Sequence, residues 1–250
     1  MTPQRHFQEG LDDLKVRPVE MAGLAEEAVQ LAVEALLTRD RAKADRAIEL
    51  DSAIDDLELQ VDDAAIQLLA LQQPLARDLR FITMAMKISH EVERIGDHAV
   101  NIAQNVTFLL EAPPFPPLPE IEEMTRLARA MLRDALDAFI RGDSQLARDI
   151  GRRDDRVDDL HRNVFRILLM LMLEEPRRIT AGMDMLLVSR NRERIADLAT
   201  NIAEEVVYLV EGRTIKHGGD RRPAGDGAPG GTAEPDGETA PPAEGPPGNA

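Results

Sequence analysis

The chain contains no cysteine and no tryptophan, and aromatic residues make up only 3% of it. Without thiols it can form neither disulfides nor thiolate metal sites. With so few rings, the core must be filled by Leu, Ile, Val, Ala and Met, the residues of helical bundles. No segment alternates apolar and polar residues at a period of two, so no strand is expected. Long hydrophobic runs are missing too: the most apolar stretch, Ile167 to Leu173, falls far below the ~20 residues of a membrane span. The opening Met1-Thr-Pro-Gln-Arg-His-Phe7 is polar and lacks the apolar stretch of a secretory signal. Basic residues are the scarcer charge, 30 Lys and Arg against 46 Asp and Glu, for a net charge of −16. That argues against non-specific nucleic-acid binding and favours cations as ligands. The expectation is a cytoplasmic protein without direct membrane insertion. No glycine-rich phosphate loop, Ser-His-Asp arrangement or zincin motif is present, so no catalytic constellation is expected.

Glycine and proline are unevenly placed. Residues 217–250 hold nine Gly and seven Pro, with too little apolar surface to offset the entropy of ordering, so 213–250 reads as a disordered tail. Pro113, Pro114, Pro116, Pro117 and Pro119 make 113–119 a stiff linker between two halves, 1–112 and 120–212. Pro74 and Pro176 each follow a polar pair and are expected to open the third helix of their half. Arg39-Asp40 and Gly142-Asp143 read as turns, and Gly212 as the stop of the last helix. Pro18 is expected to kink the first helix or delay its start. Six helices result, over 5–38, 41–71, 75–111, 120–141, 144–173 and 177–211. Short turns between long helices force antiparallel neighbours. The fold class is all-α: two tandem three-helix bundles of up-down antiparallel helices.

The halves share more than architecture. Glu93-Arg-Ile-Gly-Asp97-His-Ala-Val-Asn101-Ile-Ala103 returns one hundred residues later as Glu193-Arg-Ile-Ala-Asp197-Leu-Ala-Thr-Asn201-Ile-Ala203. Across 93–111 and 193–211, 11 of 19 positions are identical without a gap, which marks a duplicated module. Each copy places Glu and Asp four apart on one helix face, followed by Asn four further on. The preceding helix of each half carries its own pair, Asp51/Asp55 and Asp154/Asp158, with Ile54 aligned to Val157. Consecutive antiparallel helices can turn these rows toward each other. Four converging carboxylates repel strongly unless cations sit between them, and oxygen-only ligation suits iron(III), manganese, magnesium or calcium. Bridging carboxylates favour a multinuclear cluster. Asn101 and Asn201 are candidates to orient a ligating carboxylate. The competing reading is a solvated face on which Arg94 and Arg194 pair with the acids. His90 and His98 lack a matching His in the second copy, so neither is expected to be a shared ligand. Asp158-x-x-His161 is a lone echo of the Glu-x-x-His of di-iron bundles.

These residues resemble the PhoU family. The resemblance rests on Gln73-Pro-Leu-Ala-Arg-Asp-Leu-Arg80, Glu93-Arg-Ile-Gly-Asp97, Asn101-Ile-Ala103 and the second-half versions around Pro176, Glu193 and Asn201, over about residues 5–212. It implies two tandem three-helix bundles whose Glu/Asp-x-x-x-Asp motifs line metal clusters. The ligands would be Asp51, Asp55, Glu93 and Asp97 in one half and Asp154, Asp158, Glu193 and Asp197 in the other. Asn101, Asn201, Arg94 and Arg194 would stand behind them. Iron, zinc, manganese and magnesium are the candidate ions. It further implies a regulator rather than an enzyme. Such a protein dampens phosphate-starvation signalling when phosphate is plentiful. It would contact the sensor histidine kinase and the phosphate ABC transporter ATPase, stand peripheral to the membrane through those partners, and pair as a homodimer. The second half departs from the pattern: Pro176-Arg-Arg-Ile-Thr-Ala-Gly-Met183 lacks the Asp-Leu-Arg element, so its site is the less regular one. The alternatives are a ferritin-like carboxylate-bridged metalloenzyme and a metal-buffering protein.

Overall fold

The computed structural model describes residues 3–72 and 74–212, so the tail expected at 213–250 lies outside the described residues. The described residues form helices α1 (Pro3–Thr38), α2 (Arg41–Glu49), α3 (Asp51–Gln72), α4 (Ala76–Glu111), α5 (Pro119–Arg141), α6 (Ser144–Glu174) and α7 (Ile179–Glu211). A single 3-10 turn, Pro176–Arg178, precedes α7. No strand occurs among them, as the composition implied.

α1 passes through Pro18 without a late start. An internal proline costs a helix about 3 kcal/mol. Here Leu14 and Met21, both fully buried on either side of it, each offset about 1.5–3 kcal/mol. The rod expected over 41–71 is interrupted at Leu50, a buried residue that keeps helical angles (φ −70, ψ −20). The interruption makes Asp51 the first residue of α3. Pro74 lies ahead of α4, whose N-cap is Leu75, and Pro176 opens the 3-10 turn rather than α7 itself.

The expected turns are built as their residues suggest. The Asp40 carboxylate accepts from the Ala42 amide at 2.9 Å, and Asp143 accepts from Gln145 and Leu146 at 3.0 Å each. Gly142 (φ 64) and Gly212 (φ 67) take the left-handed conformation that stops a helix. Arg39 adopts it too, at φ 52, which is costly for a residue with a Cβ. Its guanidinium donates to the carbonyls of Leu110 (2.6 Å) and Ala112 (3.0 Å). It thereby satisfies the open end of α4 and holds the strained turn in place.

α1, α3 and α4 pack against one another, as do α5, α6 and α7, and α4 lies along α7. One continuous core runs through both triplets. On α4 it is carried by Ile88, Val92, Ile95, Ala99, Ile102 and Val106, all fully buried. That four-three spacing is a seam for left-handed packing.

The α3–α4 contact explains one difference between the repeats. A Cβ at Gly96 would sit 2.9 Å from Ile54 Cδ1. The second half has Ala196 with Val157, so a methyl group lost from one helix is gained on the other. Gly96→Ala is therefore expected to cost about 1 kcal/mol, because overpacking of about 1–3 kcal/mol exceeds the ~1 kcal/mol gain in helix propensity. Adding Ile54→Val should recover the loss. Urea unfolding of the two single variants and the double variant tests this. Additive losses would show that the two positions are not coupled.

Candidate functional site

The acidic rows occupy the facing sides of α3 and α4 in the first half and of α6 and α7 in the second. Their mutual fields show the convergence. Burial, then the Asp55 and Asp97 charges, raise the Asp51 carboxyl above its usual range. Glu93 is pushed up to about 7, first by burial and then by Asp97, Glu58 and Asp55, with His90 opposing. In the second half, burial followed by Asp197, Asp158 and Glu193 pushes Asp154 up to about 7. Glu193 is raised by burial and by Asp197 and Asp158, against Arg194 and Arg190. Each set of four thus shares one electrostatic environment, which is costly to ionise unless cations enter it.

The two halves differ in detail. In the first, His90 Nδ1 lies 3.1 Å from Glu58 Oε1 and 4.0 Å from Glu93 Oε2. One ligand atom from each of Glu58, His90 and Glu93 falls within 4.8 Å of the others, a spacing that fits one metal ion. Sequence reasoning set His90 aside for want of a repeat partner and did not weigh Glu58. The available signal was the helical period: Asp55-x-x-Glu58 and His90-x-x-Glu93 each extend an acidic row by one turn. In the second half the aligned positions are His161 and Arg190. His161 Nδ1 pairs with Ser189 Oγ at 2.8 Å, and burial lowers its pKa, against the pull of Asp158. The first half therefore offers a mixed nitrogen–oxygen donor set, whereas Arg190 brings a fixed positive charge to the second.

The arginines beside the acids also diverge. Arg194 donates to Asp197 Oδ2 at 2.7 Å and stands 3.7 Å from Glu193. Arg94 instead pairs with Glu91 at 3.2 Å. Asn201 reaches across to Glu91 Oε2 at 3.4 Å, a carboxylate outside the two sets, and Asn101 is exposed. His98 bonds Asn191 Oδ1 at 2.8 Å and ties α4 to α7. Asp154, Asp197, Arg94, Arg194 and Asn201 line a cavity of about 300 Å³ between those helices.

The donor sets fit a metal. Asp154 Oδ1 is buried without a hydrogen-bond partner among the described residues. A buried carboxylate oxygen left unpaired costs free energy that a bound cation would offset. Hard oxygen donors with one imidazole suit iron, manganese or zinc.

Sequence reasoning also missed Arg192, which is fully buried. Its Nε donates to Thr125 Oγ1 at 2.8 Å and its Nη1 to the Val188 carbonyl at 3.0 Å, while Nη2 has no partner among the described residues. Burial pulls the guanidinium down to about 9, so it remains charged at neutral pH.

Two similar three-helix units, each turning two acidic rows toward each other, define a twin-bundle carboxylate protein. The family model described as PhoU domain matches twice, at residues 19–106 and 121–206, once in each half. The phosphate-specific transport system accessory protein PhoU homolog of Aquifex aeolicus is 40% identical over 207 residues, covering 83% of this chain and 94% of that protein. The homolog of the same name from Zymomonas mobilis is 38% identical over 207 residues, covering 83% and 87%. Among solved structures, PhoU from Pseudomonas aeruginosa superposes with a TM-score of 0.79 at 36% identity, covering 82% of this chain and 99% of that one. The phosphate transport system regulatory protein PhoU from Streptococcus pneumoniae gives 0.78 at 29% identity, covering 84% and 99%. The chain belongs to the PhoU family.

Proposed function

We propose that this chain is a non-enzymatic regulatory accessory protein of a phosphate transport system. It restrains phosphate-starvation signalling and phosphate uptake when phosphate is plentiful, as an adaptor between the phosphate ABC transporter ATPase and the sensor histidine kinase. The names of its relatives support the transport-system role. The proposed domains are 1–112 and 120–212 with the linker 113–119 between them, α5 itself beginning at Pro119. Among the described residues no helix is long and apolar enough to cross a membrane, which agrees with a cytoplasmic protein held at the membrane through its partners. A homodimer is part of this reading.

The carboxylate sets are proposed metal centres: Asp51, Asp55, Glu93 and Asp97, joined by Glu58 and His90, and Asp154, Asp158, Glu193 and Asp197. The observation that carries this is the unpaired, buried Asp154 Oδ1 inside a set of mutually repelling carboxylates. A bound multinuclear cluster would supply positive charge that fixes the facing helices and gives each bundle a cationic feature in an acidic surface. The protein's own residues hold the ions, and Arg194 already balances part of the charge in the second set.

The test is genetic. Removing the chain should switch on a phosphate-starvation reporter in phosphate-replete medium, and the wild-type chain should restore repression. Asp97→Ala/Asp197→Ala should restore it poorly at equal abundance. A reporter that stays silent when the chain is removed would overturn the regulatory reading.

A further inference from the structure

The most apolar run of the chain, Ile167 to Leu173, takes no part in the carboxylate sets. It lies in the second half of α6, and seven consecutive residues turn apolar side chains to every side of a helix. Such a helix is ordinarily covered all round. Here only one side is covered. Val164 and Leu168 are fully buried, whereas Phe165, Leu169, Met170 and Leu173 are 49%, 42%, 58% and 69% exposed. On α7, across the tip of the hairpin, Ile179 and Met183 are exposed as well. The two helices are close there, since a Cβ on Gly182 would meet Met172 Cγ at 2.7 Å. The exposed residues therefore share one end of the α6–α7 pair, and an apolar face of this kind marks a contact with another molecule.

The charges on this face say what covers it. Arg166, Met170 and Glu174 stand four apart in one row, and all three are exposed. Phe165, Leu169 and Leu173 form the neighbouring row, also four apart. Each row matches itself when a second α6 is laid against it in the opposite direction. Leu169 and Met170 then meet their own copies, Phe165 meets Leu173, and Arg166 meets Glu174 on both sides of the axis. The neighbours Arg162 and Glu175 are already paired, with Asp159 and Arg178 at 2.5 Å each. Arg166 and Glu174 form no ion pair among the described residues. Eight residues apart (174 − 166), they lie about 12 Å apart along one helix, too far to pair with each other. The duplication supplies the control. With Ile54 aligned to Val157, the first half has Asp62 for Phe165, Asp63 for Arg166, Gln67 for Met170 and Leu71 for Glu174. There the apolar rows are broken and the opposed charges are missing. One such face per chain closes a two-fold pair and does not propagate.

We infer that the exposed face of α6, from Phe165 to Glu174, is a two-fold contact on which a second copy of this chain packs with its α6 antiparallel. This contact rests on the homodimer reading above and gives that dimer its surface. Sedimentation velocity of the full-length chain at micromolar concentration should show a dimer. Arg166→Glu and Glu174→Arg should each weaken it about tenfold or more, because like charges then face each other across the axis. Both should keep the helical content of the wild type, since the two side chains are exposed. Arg166→Glu/Glu174→Arg should restore the wild-type affinity. An equimolar mixture of the two single variants should restore it too, because every charge again meets its opposite. A monomeric wild-type chain would overturn the contact and the homodimer reading together, leaving the regulatory reading to the reporter test. A dimer indifferent to the single variants would overturn this contact alone, as would one that they weaken without recovery in the double variant and the mixture.

Discussion

Asp154→Asn is expected to stabilise the metal-free protein at pH 8 by about 1–2 kcal/mol while lowering its metal content. Asp154 faces Asp197, Asp158, Glu193 and Asp155 and is pushed up to about 7 from an ordinary 3.8. Its proton is held more tightly in the folded state than in the unfolded chain. Stability therefore falls as pH rises between about 4 and 7, and the full penalty is present above that window. A shift of about three pH units corresponds to roughly 4 kcal/mol; partial exposure of the carboxylate reduces this to the smaller figure. Asparagine keeps the shape and cannot ionise. Urea unfolding in chelator should show the advantage of the variant at pH 8 and its shrinkage at pH 5. An equal difference at both pH values would show that ionisation of Asp154 is not its source. Opposite effects on stability and metal content are the signature of a group retained for binding at a cost to the fold.

Arg192→Met is the second large effect. The guanidinium is fully buried, and among the described residues its partners are Thr125 and the Val188 carbonyl, with no carboxylate. Its Nη2 is unpaired, so the charge costs more than its two hydrogen bonds return. The aligned residue in the first half is Val92, fully buried in the seam of α4. Methionine matches the volume and leaves nothing unsatisfied, because Thr125 Oγ1 also donates to the Ile121 carbonyl at 2.9 Å. The variant is expected to gain about 1–3 kcal/mol, read as a higher urea midpoint at an unchanged m-value. A loss of that size would show that Arg192 organises the α5–α7 contact in a way its two visible bonds do not account for.

The helices were legible because their stops are local. Gly142 and Gly212 both adopt the left-handed angles that a glycine at those places suggests, and Asp40 and Asp143 cap as N-cap residues do. The acidic rows were legible because duplication separates signal from noise: one Glu-x-x-x-Asp is common on any solvated helix, and matched pairs are not. The same filter hid what occurs once. Glu58 aligns with His161 and His90 with Arg190, so neither residue type repeats at its place and the repeat argued against them; only the α3–α4 approach brings them to 3.1 Å. The interruption at Leu50 was invisible because Leu50 keeps helical angles and neither Gly nor Pro marks it. Arg192 sits in register with Val92, yet charge alone reads as surface. Its burial follows from α5 closing over α7, a tertiary fact that periodicity within one helix does not contain.

The repeated carboxylates are proposed to hold cations. The most direct measurement is elemental analysis of protein purified without chelators or an affinity metal, beside Asp97→Ala/Asp197→Ala with unchanged helical content. Several metal equivalents per chain in the wild type and a loss of most of them in the variant are expected. An equal metal load in both, or none in either, would contradict the claim and return these residues to a salt-bridged or partner-binding surface.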